Sequence, residues 1–226
     1  MKEWDIIYRV VGMKRSGHHA IIMWMVKNMD GNIYHINNVN NPDVADNLKK
    51  ITELKKDGGK NILFYSIEDY DPDKDFKINF NTVTTDICVL RDPLNIFASR
   101  IKVSKTNEHK NKDWFSENKI NLYKKHFNLL NNDNFKVINY SKWNFDDDYR
   151  KELSSDFNLK DSENFEEISF LGHNYPYTHA SSFNDVKDEI TNVKFNKRHE
   201  TLTKKEKDII TIGVGNEIIT YFSKFI

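Results

Sequence analysis

A turn close to the amino terminus constrains the fold of this chain more than any other stretch. Residues 12–19 read Gly-Met-Lys-Arg-Ser-Gly-His-His, and they separate an apolar run at 6–11 from a helical run at 20–26. Two glycines five residues apart between a strand and a helix allow backbone N–H groups to converge on an anion, which the positive end of the helix dipole also faces. The turn therefore predicts a phosphate-binding loop.

The spacing of the two glycines matches the start of the P-loop motif, G-x-x-x-x-G-K-[ST]. In that motif a lysine contacts the phosphates and a hydroxyl holds Mg²⁺, but His18 and His19 occupy those two positions here. Positive charge comes earlier instead, from Lys14 and Arg15. The loop is thus predicted to bind phosphate without Mg²⁺–nucleoside triphosphate chemistry, the alternative being an ordinary turn with solvated basic residues.

The size and composition of the chain favour a single domain spanning residues 1–226. A hydrophobic content of 38% can form a core, and the balance of 34 basic against 34 acidic residues argues against a nucleic-acid partner. The single cysteine, Cys88, cannot form an internal disulfide, and residues 1–5 lack a signal-peptide pattern. No apolar run approaches the ~18 residues of a membrane span. We therefore expect a soluble, cytoplasmic protein with no membrane span.

Alternating strand-like and helical patterns predict a three-layer α/β domain with a central parallel sheet. The predicted strands cover residues 5–11, 32–36, 61–66, 85–90 and 135–140, and the predicted helices cover 20–30, 44–56, 94–101, 113–130, 146–157 and 204–225. Residues 158–200 have no assignable pattern. Ligands of such sheets bind beyond the carboxyl ends of the strands, so the loops that follow the strands are expected to share one face. Those loops follow Val11, Ser66, Leu90 and Tyr140.

A second basic feature follows the predicted strand at 85–90. Arg91 comes directly after this strand, and Ser99 lies eight residues on, about two turns into the next helix. A guanidinium at a strand end can bind a phosphate with two donors, and a nearby hydroxyl can complete the contact. On its own, Arg91 could equally cap Asp92 or pair with a surface carboxylate.

Together, these two segments resemble motifs of the PAPS-dependent sulfotransferases. Residues 15–19 (Arg-Ser-Gly-His-His) are similar to that family's Lys/Arg-Ser-Gly-Thr-Thr loop, which holds the 5′-phosphosulfate. Residues 90–99 resemble its second motif, Arg-x-Pro-x-x-(apolar)-x-x-Ser, which holds the 3′-phosphate. Residues 137–140 resemble a strand that ends in a tyrosine near the adenine. The chain departs from the family at positions 18–20, and the family's C-terminal Arg-Lys-Gly is not found.

The resemblance implies a P-loop NTPase-like sulfotransferase architecture and the transfer of a sulfuryl group from PAPS to a hydroxyl or amine, with PAP as product and no metal. It places the following residues at the nucleotide: Lys14, Arg15, Ser16, Gly17, His18, His19, Arg91, Ser99 and Tyr140. Arg15 stands where the family has its lysine, and with backbone N–H groups it would stabilise charge on the bridging oxygen. Because an arginine stays protonated near neutral pH, Arg15 is expected to donate hydrogen bonds without acting as an acid.

Such a reaction also requires a general base for the acceptor's proton. In the family this is a His or Glu at a strand end, some twenty residues before the 3′-phosphate arginine, and Glu68 lies 23 residues before Arg91. Adjacent extended residues point to opposite sides, so only one of Glu68 and Asp69 can face the cleft, and Asp69 is the runner-up. The alternative for both is a solvated acidic pair. His35, at a predicted strand end, is a weaker candidate for the base or for an acceptor contact.

Two histidines and a late arginine complete the candidate set. Adjacent residues at a helix start are not expected to face one site, so His18 and His19 are predicted to contact the phosphosulfate and not a metal ion. Arg198 lies in a basic cluster after a Ser-Ser-Phe at 181–183 that is similar to a segment of some sulfotransferases. It is a candidate phosphate contact, the alternative being a solvated cluster ahead of the last helix.

Two other functions stay open at this point. A small-molecule or nucleotide kinase of the P-loop class is one, although the Lys and Ser/Thr expected after Gly17 are missing. A nucleotide-binding module that keeps the fold without catalysis is the other. The acceptor could be a small molecule, a carbohydrate, a lipid or a peptide, because the stretches predicted to form its pocket do not specify it. Those stretches are residues 37–46, 70–81 and 102–112.

Overall fold

The centre of the protein is a sheet of five parallel strands, as the alternating sequence pattern predicts. The computed structural model describes residues 4–39, 58–74, 78–105, 113–160 and 198–225. The strands are β1 (Ile6–Gly12), β2 (Asn32–Ile36), β3 (Asn61–Glu68), β4 (Thr84–Leu90) and β5 (Phe135–Asn139), in the order β2-β3-β1-β4-β5 across the sheet. The predicted fold class, α/β with a central parallel sheet, is therefore confirmed.

Helices lie on both faces of this sheet. Within the described residues they are α1 (His18–Lys27), α2 (Pro93–Ser104), α3 (Glu117–Asn128), α4 (Tyr140–Phe145), α5 (Asp147–Asp156), α6 (Lys204–Val214) and α7 (Asn216–Ser223). Short 3-10 turns cover Pro72–Lys74, Leu129–Asn131 and Arg198–Thr201. Most of these helices begin with a side-chain cap. Asp92 accepts from Asn95 N before the proline that opens α2, and Thr203 and Glu206 form a capping box at the start of α6.

The structure corrects two of the predicted elements. The single helix expected over residues 204–225 is two helices, because Gly215 between α6 and α7 adopts φ 95° and ψ 153°, which a right-handed helix cannot continue through and which glycine tolerates. Tyr140 opens α4 instead of ending β5, since the Asn139 side chain caps the helix through Lys142 N. The helix predicted at 44–56 lies outside the described residues, as does most of the unassigned stretch at 158–200.

Side chains of β1 alternate between the two apolar layers. Ile7 and Val11 pack with one group of helices, and Tyr8 and Val10 pack with the other. The first layer is formed by α2, α3, α6 and α7, and the second by α1, α4 and α5. Arg9 is fully buried on the first side, where its guanidinium forms two hydrogen bonds with Asp86 of β4. The result is the predicted three-layer arrangement.

The strand register brings the ends of the three central strands together. Gly12 at the end of β1 pairs with Glu68 at the end of β3 and with Val89 near the end of β4. The loop after β1 is thus flanked by Asp69 on one side and Arg91 on the other. Residues that are far apart in the chain meet at this carboxyl edge of the sheet, where ligands of such folds bind.

Candidate functional site

The loop between β1 and α1 is a tight turn with an unusual backbone. Ser16 N donates to Met13 O at 3.0 Å, and Arg15 and Gly17 have φ values of 77° and 92°. Successive residues of alternating helical hand point their N–H groups into one concavity, which favours an anion. The amides of His18 and His19 open α1, where the helix offers them no carbonyl partner. The local geometry is that of an anion-binding loop.

Asp69 stabilises this loop through hydrogen bonds. Its carboxylate accepts from Lys14 N at 2.9 Å, from Arg100 Nη1 at 2.8 Å and from Lys119 Nζ at 2.8 Å. Burial by itself raises the pKa of this carboxyl, but the hydrogen bonds and charges of Arg100, with Lys119 and Lys14 N, hold the pKa well below its usual range. A carboxylate so fully engaged is a poor proton acceptor, so Asp69 is unsuited to the role of base and supports the loop.

The loop is covered by an aromatic ring from the start of α4, in the same layer as α1. A Cβ atom added to Gly17 would lie 2.4 Å from Cε2 of Tyr140, so only glycine allows this approach. Tyr140 is 3% exposed, and its ring lies 5.2 Å from the guanidinium carbon of Arg91. Tyr140 therefore touches the loop and the second basic site at once.

That second site lies after β4 and is built from side chains. Arg91 and Ser99 are each 3% exposed, and Arg91 Nη1 donates to Arg15 O at 3.3 Å. Arg198, from the 3-10 turn before α6, donates through Nη1 to Ser99 Oγ at 2.7 Å. Asp92, which could have paired with Arg91, instead accepts from the backbone N and side-chain amide of Asn95. Arg91, Ser99 and Arg198 form one cluster.

Three guanidinium groups from distant parts of the chain now share one edge of the sheet. Burial, followed by the charges of Arg91 and Arg15, lowers the pKa of Arg198 to about 10. Burial also lowers the pKa of Arg15, with further lowering by Arg100 and Arg91 and an opposing effect of Glu68. The three guanidinium charges repel one another. Such an arrangement is stabilised when anions bind between the groups.

Glu68 ends β3 beside the loop. Its carboxylate lies 3.6 Å from Lys14 Nζ and 3.5 Å from His18 Nε2, and its side chain is 18% exposed. The neighbouring His35 is a weak base, since burial and the adjacent His19 lower its pKa to about 3. Asp69 is similarly exposed, at 16%, but Arg100 and Lys119 hold its oxygens at 2.8 Å, whereas the contacts of Glu68 with Lys14 and His18 are longer. Glu68 is therefore the best suited of the three candidates for the base.

The two histidines of the loop do not diverge as the sequence argument expected. Their rings lie 4.2 Å apart, and one donor atom from each of His18, His19 and Glu68 falls within 4.8 Å of the others. The prediction that these side chains do not face one site is wrong, because side-chain torsions, and not helix position alone, decide where ring nitrogens lie. His18 is 3% exposed, and burial, with the nearby His19 and His35, lowers its pKa well below the ordinary value.

Comparison with known proteins supports the fold at this point. No protein-family model matches the chain, and no curated protein sequence matches it. Among solved structures, mouse sulfotransferase SULT7A1 complexed with PAP aligns with a TM-score of 0.60 and 14% identity, over 98% of this chain and 89% of that one. This chain has the sulfotransferase fold. The sulfotransferase domain of the Synechococcus PCC 7002 olefin synthase aligns with a TM-score of 0.56 and 12% identity, over 99% of this chain and 96% of that domain.

Within this sulfotransferase fold, the residues singled out from the sequence lie together at the carboxyl edge of the sheet. They are Lys14, Arg15, Ser16, Gly17, His18, His19, Glu68, Asp69, Arg91, Ser99, Tyr140 and Arg198. The segment at 181–183 lies outside the described residues. No helix within the described part of the chain is long and apolar enough to cross a bilayer.

Sequence reasoning missed one residue that shapes the site, Arg100. This arginine is fully buried and donates to Asp69, to Lys14 O at 3.2 Å and to Trp114 O at 2.6 Å. The signal available was its position next to Ser99, in a helix that otherwise reads as apolar towards the sheet. A buried arginine in such a place requires an acid partner, which Asp69 provides.

Proposed function

We propose that this protein transfers a sulfuryl group from PAPS to a hydroxyl or amine of an acceptor. The observation that carries the proposal is the gathering of Arg15, Arg91 and Arg198 around two adjacent sites, the loop and the Arg91 cluster. A 3′,5′-bisphosphate places two anionic groups on one small molecule and matches this pair of sites in charge. The PAP complex of the structurally similar mouse enzyme agrees with this choice.

The two sites divide the nucleotide between them. The backbone amides of the loop, with Arg15, are suited to the 5′-phosphosulfate, because a helix start and concave N–H groups favour a phosphate. Arg91 and Arg198, the second hydrogen-bonded to Ser99, are suited to the 3′-phosphate as charged multiple donors. Tyr140 lies between the two and closes the base of the site.

The same residues can lower the barrier to transfer. PAPS supplies the activated sulfuryl group, whose bond to the bridging phosphate oxygen breaks as the acceptor oxygen or nitrogen bonds to sulfur. Negative charge then grows on the bridging oxygen, and Arg15 with the preorganised loop amides stabilises it. Arg15 keeps its proton throughout the reaction. It therefore stabilises the negative charge on the product PAP by donating hydrogen bonds and not by protonating it.

Glu68 is assigned as the general base that takes the acceptor's proton. Its carboxylate is partly exposed and adjoins the loop, so an acceptor held against the phosphosulfate can reach it. The proton passes to Glu68 as the new bond to sulfur forms, and solvent removes it after the product leaves. Lys14 and His18 on either side orient the carboxylate.

A kinase of the P-loop class is disfavoured by the same geometry. His18, which is buried, and the partly exposed His19 stand in place of the lysine and the hydroxyl that would hold the phosphates and Mg²⁺. A non-catalytic nucleotide-binding module would share the arginines but would not depend on Glu68, which makes the two functions separable.

Calorimetric titration with PAP and with Mg²⁺–ATP tests the nucleotide. We expect PAP to bind and Arg91→Ala to weaken its affinity at least tenfold, as loss of a charged hydrogen-bond donor costs about 1.5–3 kcal/mol. Lys151→Ala, which removes an exposed cation paired with Asp148, is the matched control and should bind PAP as the wild type does. Binding of ATP that requires Mg²⁺, with no binding of PAP, would contradict the proposal.

Turnover of PAPS to PAP in the presence of an acceptor library tests the base. Glu68→Gln keeps the shape of the side chain and should leave PAP affinity near the wild-type value, while turnover falls by about 10²–10⁴-fold. Unchanged turnover in Glu68→Gln would remove Glu68 from the mechanism. Absence of turnover in both proteins, with PAP binding intact, would favour the non-catalytic module.

A further inference from the structure

His18, His19 and Glu68 bring three possible ligand atoms together, an arrangement that the role of Glu68 as general base does not by itself require. We propose that these three side chains bind a transition-metal ion of the Zn²⁺ class, and that the bound ion lies at Glu68, the residue assigned as general base. Their ligand atoms lie within 4.8 Å of one another, on the first turn of α1 and the end of β3. Two histidines and one glutamate, with a fourth position open, are a ligand set that Zn²⁺ uses in proteins.

The measured separation fits a tetrahedral ion. At Zn–N and Zn–O distances of about 2.0–2.1 Å, two ligand atoms of a tetrahedron lie about 3.4 Å apart. His18 Nε2 and Glu68 Oε1 are 3.5 Å apart, close to that edge. The ligand atom of His19 lies within 4.8 Å of the ligand atoms of His18 and Glu68. A small rotation of the more exposed His19 ring would bring it to the tetrahedral separation.

His18 supplies an independent sign of a ligand. Its ring is 3% exposed, and Nε2 has no hydrogen-bond partner among the residues that the structure describes. A buried polar nitrogen without a partner is costly, because it loses its contacts with water and gains none. Nε2 points towards Glu68, into the space between the three side chains. A metal ion there would satisfy the nitrogen.

The outer contacts of both histidines suit metal binding. Ser16 Oγ lies 3.4 Å from His18 Nδ1, and His19 Nε2 donates to Asn37 Oδ1 at 2.8 Å. Asn37 Oδ1 also accepts from Ser66 Oγ at 3.0 Å, which fixes the amide. Metal-ligating histidines commonly donate their second ring N–H to such an oxygen, which orients the ring and leaves the other nitrogen as the ligand.

Lys14 opposes the ion and sets its affinity. Its ammonium lies 3.6 Å from Glu68 and competes for the same carboxylate. An ion that displaces Lys14 takes Glu68 away from the acceptor's proton, so metal binding and sulfuryl transfer exclude one another. This last step rests on the proposed function, whereas the metal site itself does not.

Titration with Co²⁺, in the absence of nucleotide, tests the site. Tetrahedral Co²⁺ gives intense visible absorption, and we expect one equivalent to bind, Zn²⁺ to displace it, and His18→Ala and Glu68→Gln each to weaken binding at least tenfold. His35→Gln is the matched control, because the ring centroid of His35 lies 6.3 Å from that of His19 and His35 is not one of the three ligands. This variant should bind Co²⁺ as the wild type does. Lys14→Met should tighten binding. Unchanged Co²⁺ affinity in folded His18→Ala and Glu68→Gln, checked by circular dichroism, would overturn the proposal.

Inhibition of turnover then tests the exclusion. Zn²⁺ at the concentration that saturates the wild type should stop conversion of PAPS, and a chelator should restore it, with Lys14→Met inhibited at lower Zn²⁺. Undiminished turnover with Zn²⁺ bound would overturn the exclusion. If Co²⁺ binds through the trio while PAP does not bind at all, the metal site stands and the transferase function falls, so the two failures are distinguishable.

Discussion

The loop at 12–19 and the cluster of Arg91, Ser99 and Arg198 offer positive charge at the same edge of the sheet but are built in opposite ways. The loop relies on backbone conformation, with positive φ at Arg15 and Gly17 and a clamp from Asp69. The cluster relies on side chains, carried by a regular helix and a 3-10 turn. The loop should therefore fail when its supports are removed, and the cluster when single donors are removed.

The largest effect is expected from Asp69→Ala. This change leaves the fully buried guanidinium of Arg100 without its carboxylate, and breaking a buried pair costs about 3–5 kcal/mol in the free energy of unfolding. Urea denaturation measures the loss. Ser99→Ala is the counterpart in the cluster: it should change stability by less than about 1 kcal/mol while weakening PAP affinity about tenfold. Equal losses of stability in both variants would show that the loop and the cluster are not stabilised in different ways.

The same carboxylate gives the stability a defined pH dependence. The pKa of Asp69 in the folded protein lies well below that of the unfolded chain, so its contribution is present above the unfolded pKa of about 4 and is lost as pH falls. The difference in stability between wild type and Asp69→Asn should be constant above about pH 5 and shrink below it. A difference that grows with acid would show that Asp69 is not the clamp.

A smaller effect is expected from Gly17→Ala. The added methyl meets the Tyr140 ring at 2.4 Å and lies at φ 92°, so overpacking of about 1–3 kcal/mol adds to the backbone strain. Gly58→Ala is matched, because Gly58 has φ 85° and a methyl added there would meet nothing within 4 Å. The difference between the two variants in thermal unfolding isolates the contact with Tyr140. If both variants lose the same stability, the ring does not restrict the loop.

The smallest effect is expected from Arg15→Gly, and it has the opposite sign for stability. Glycine adopts φ 77° without strain, so the free energy of unfolding should rise by up to about 1 kcal/mol while PAP affinity falls. Arg15→Lys keeps a cation and should retain most of the affinity with wild-type stability. A loss of stability in Arg15→Gly would mean that the guanidinium, and not the backbone, holds the loop.

The sequence predicted the features that depend on local pattern. Apolar runs located the strands, the glycine spacing located the loop, and the eight-residue interval from Arg91 to Ser99 located the cluster. These succeed because a strand, a turn and two helical turns each have a fixed length per residue. The parallel sheet then requires the strand ends to meet.

Features that depend on contacts between distant residues were not predictable. Asp69 looked like an alternative base, yet a fully buried arginine 31 residues later turns it into the clamp of the loop. The proximity of His18 and His19 depends on torsions that no spacing specifies. The break between α6 and α7 comes from one glycine in a run whose apolar period continues across it. In each case tertiary packing overrides the local pattern.

The contact of Tyr140 with the loop gives the protein a spectroscopic reporter of its own. The Tyr140 ring lies 5.5 Å from Trp143, and Trp143 lies 5.8 Å from Trp24 in the helix that the loop begins. Both indoles are fully buried, so their emission reports on the packing around them and not on solvent. A ligand that moved Gly17 against Tyr140 would displace this group of aromatic rings, and its binding to the loop would then be followed through intrinsic fluorescence without any label.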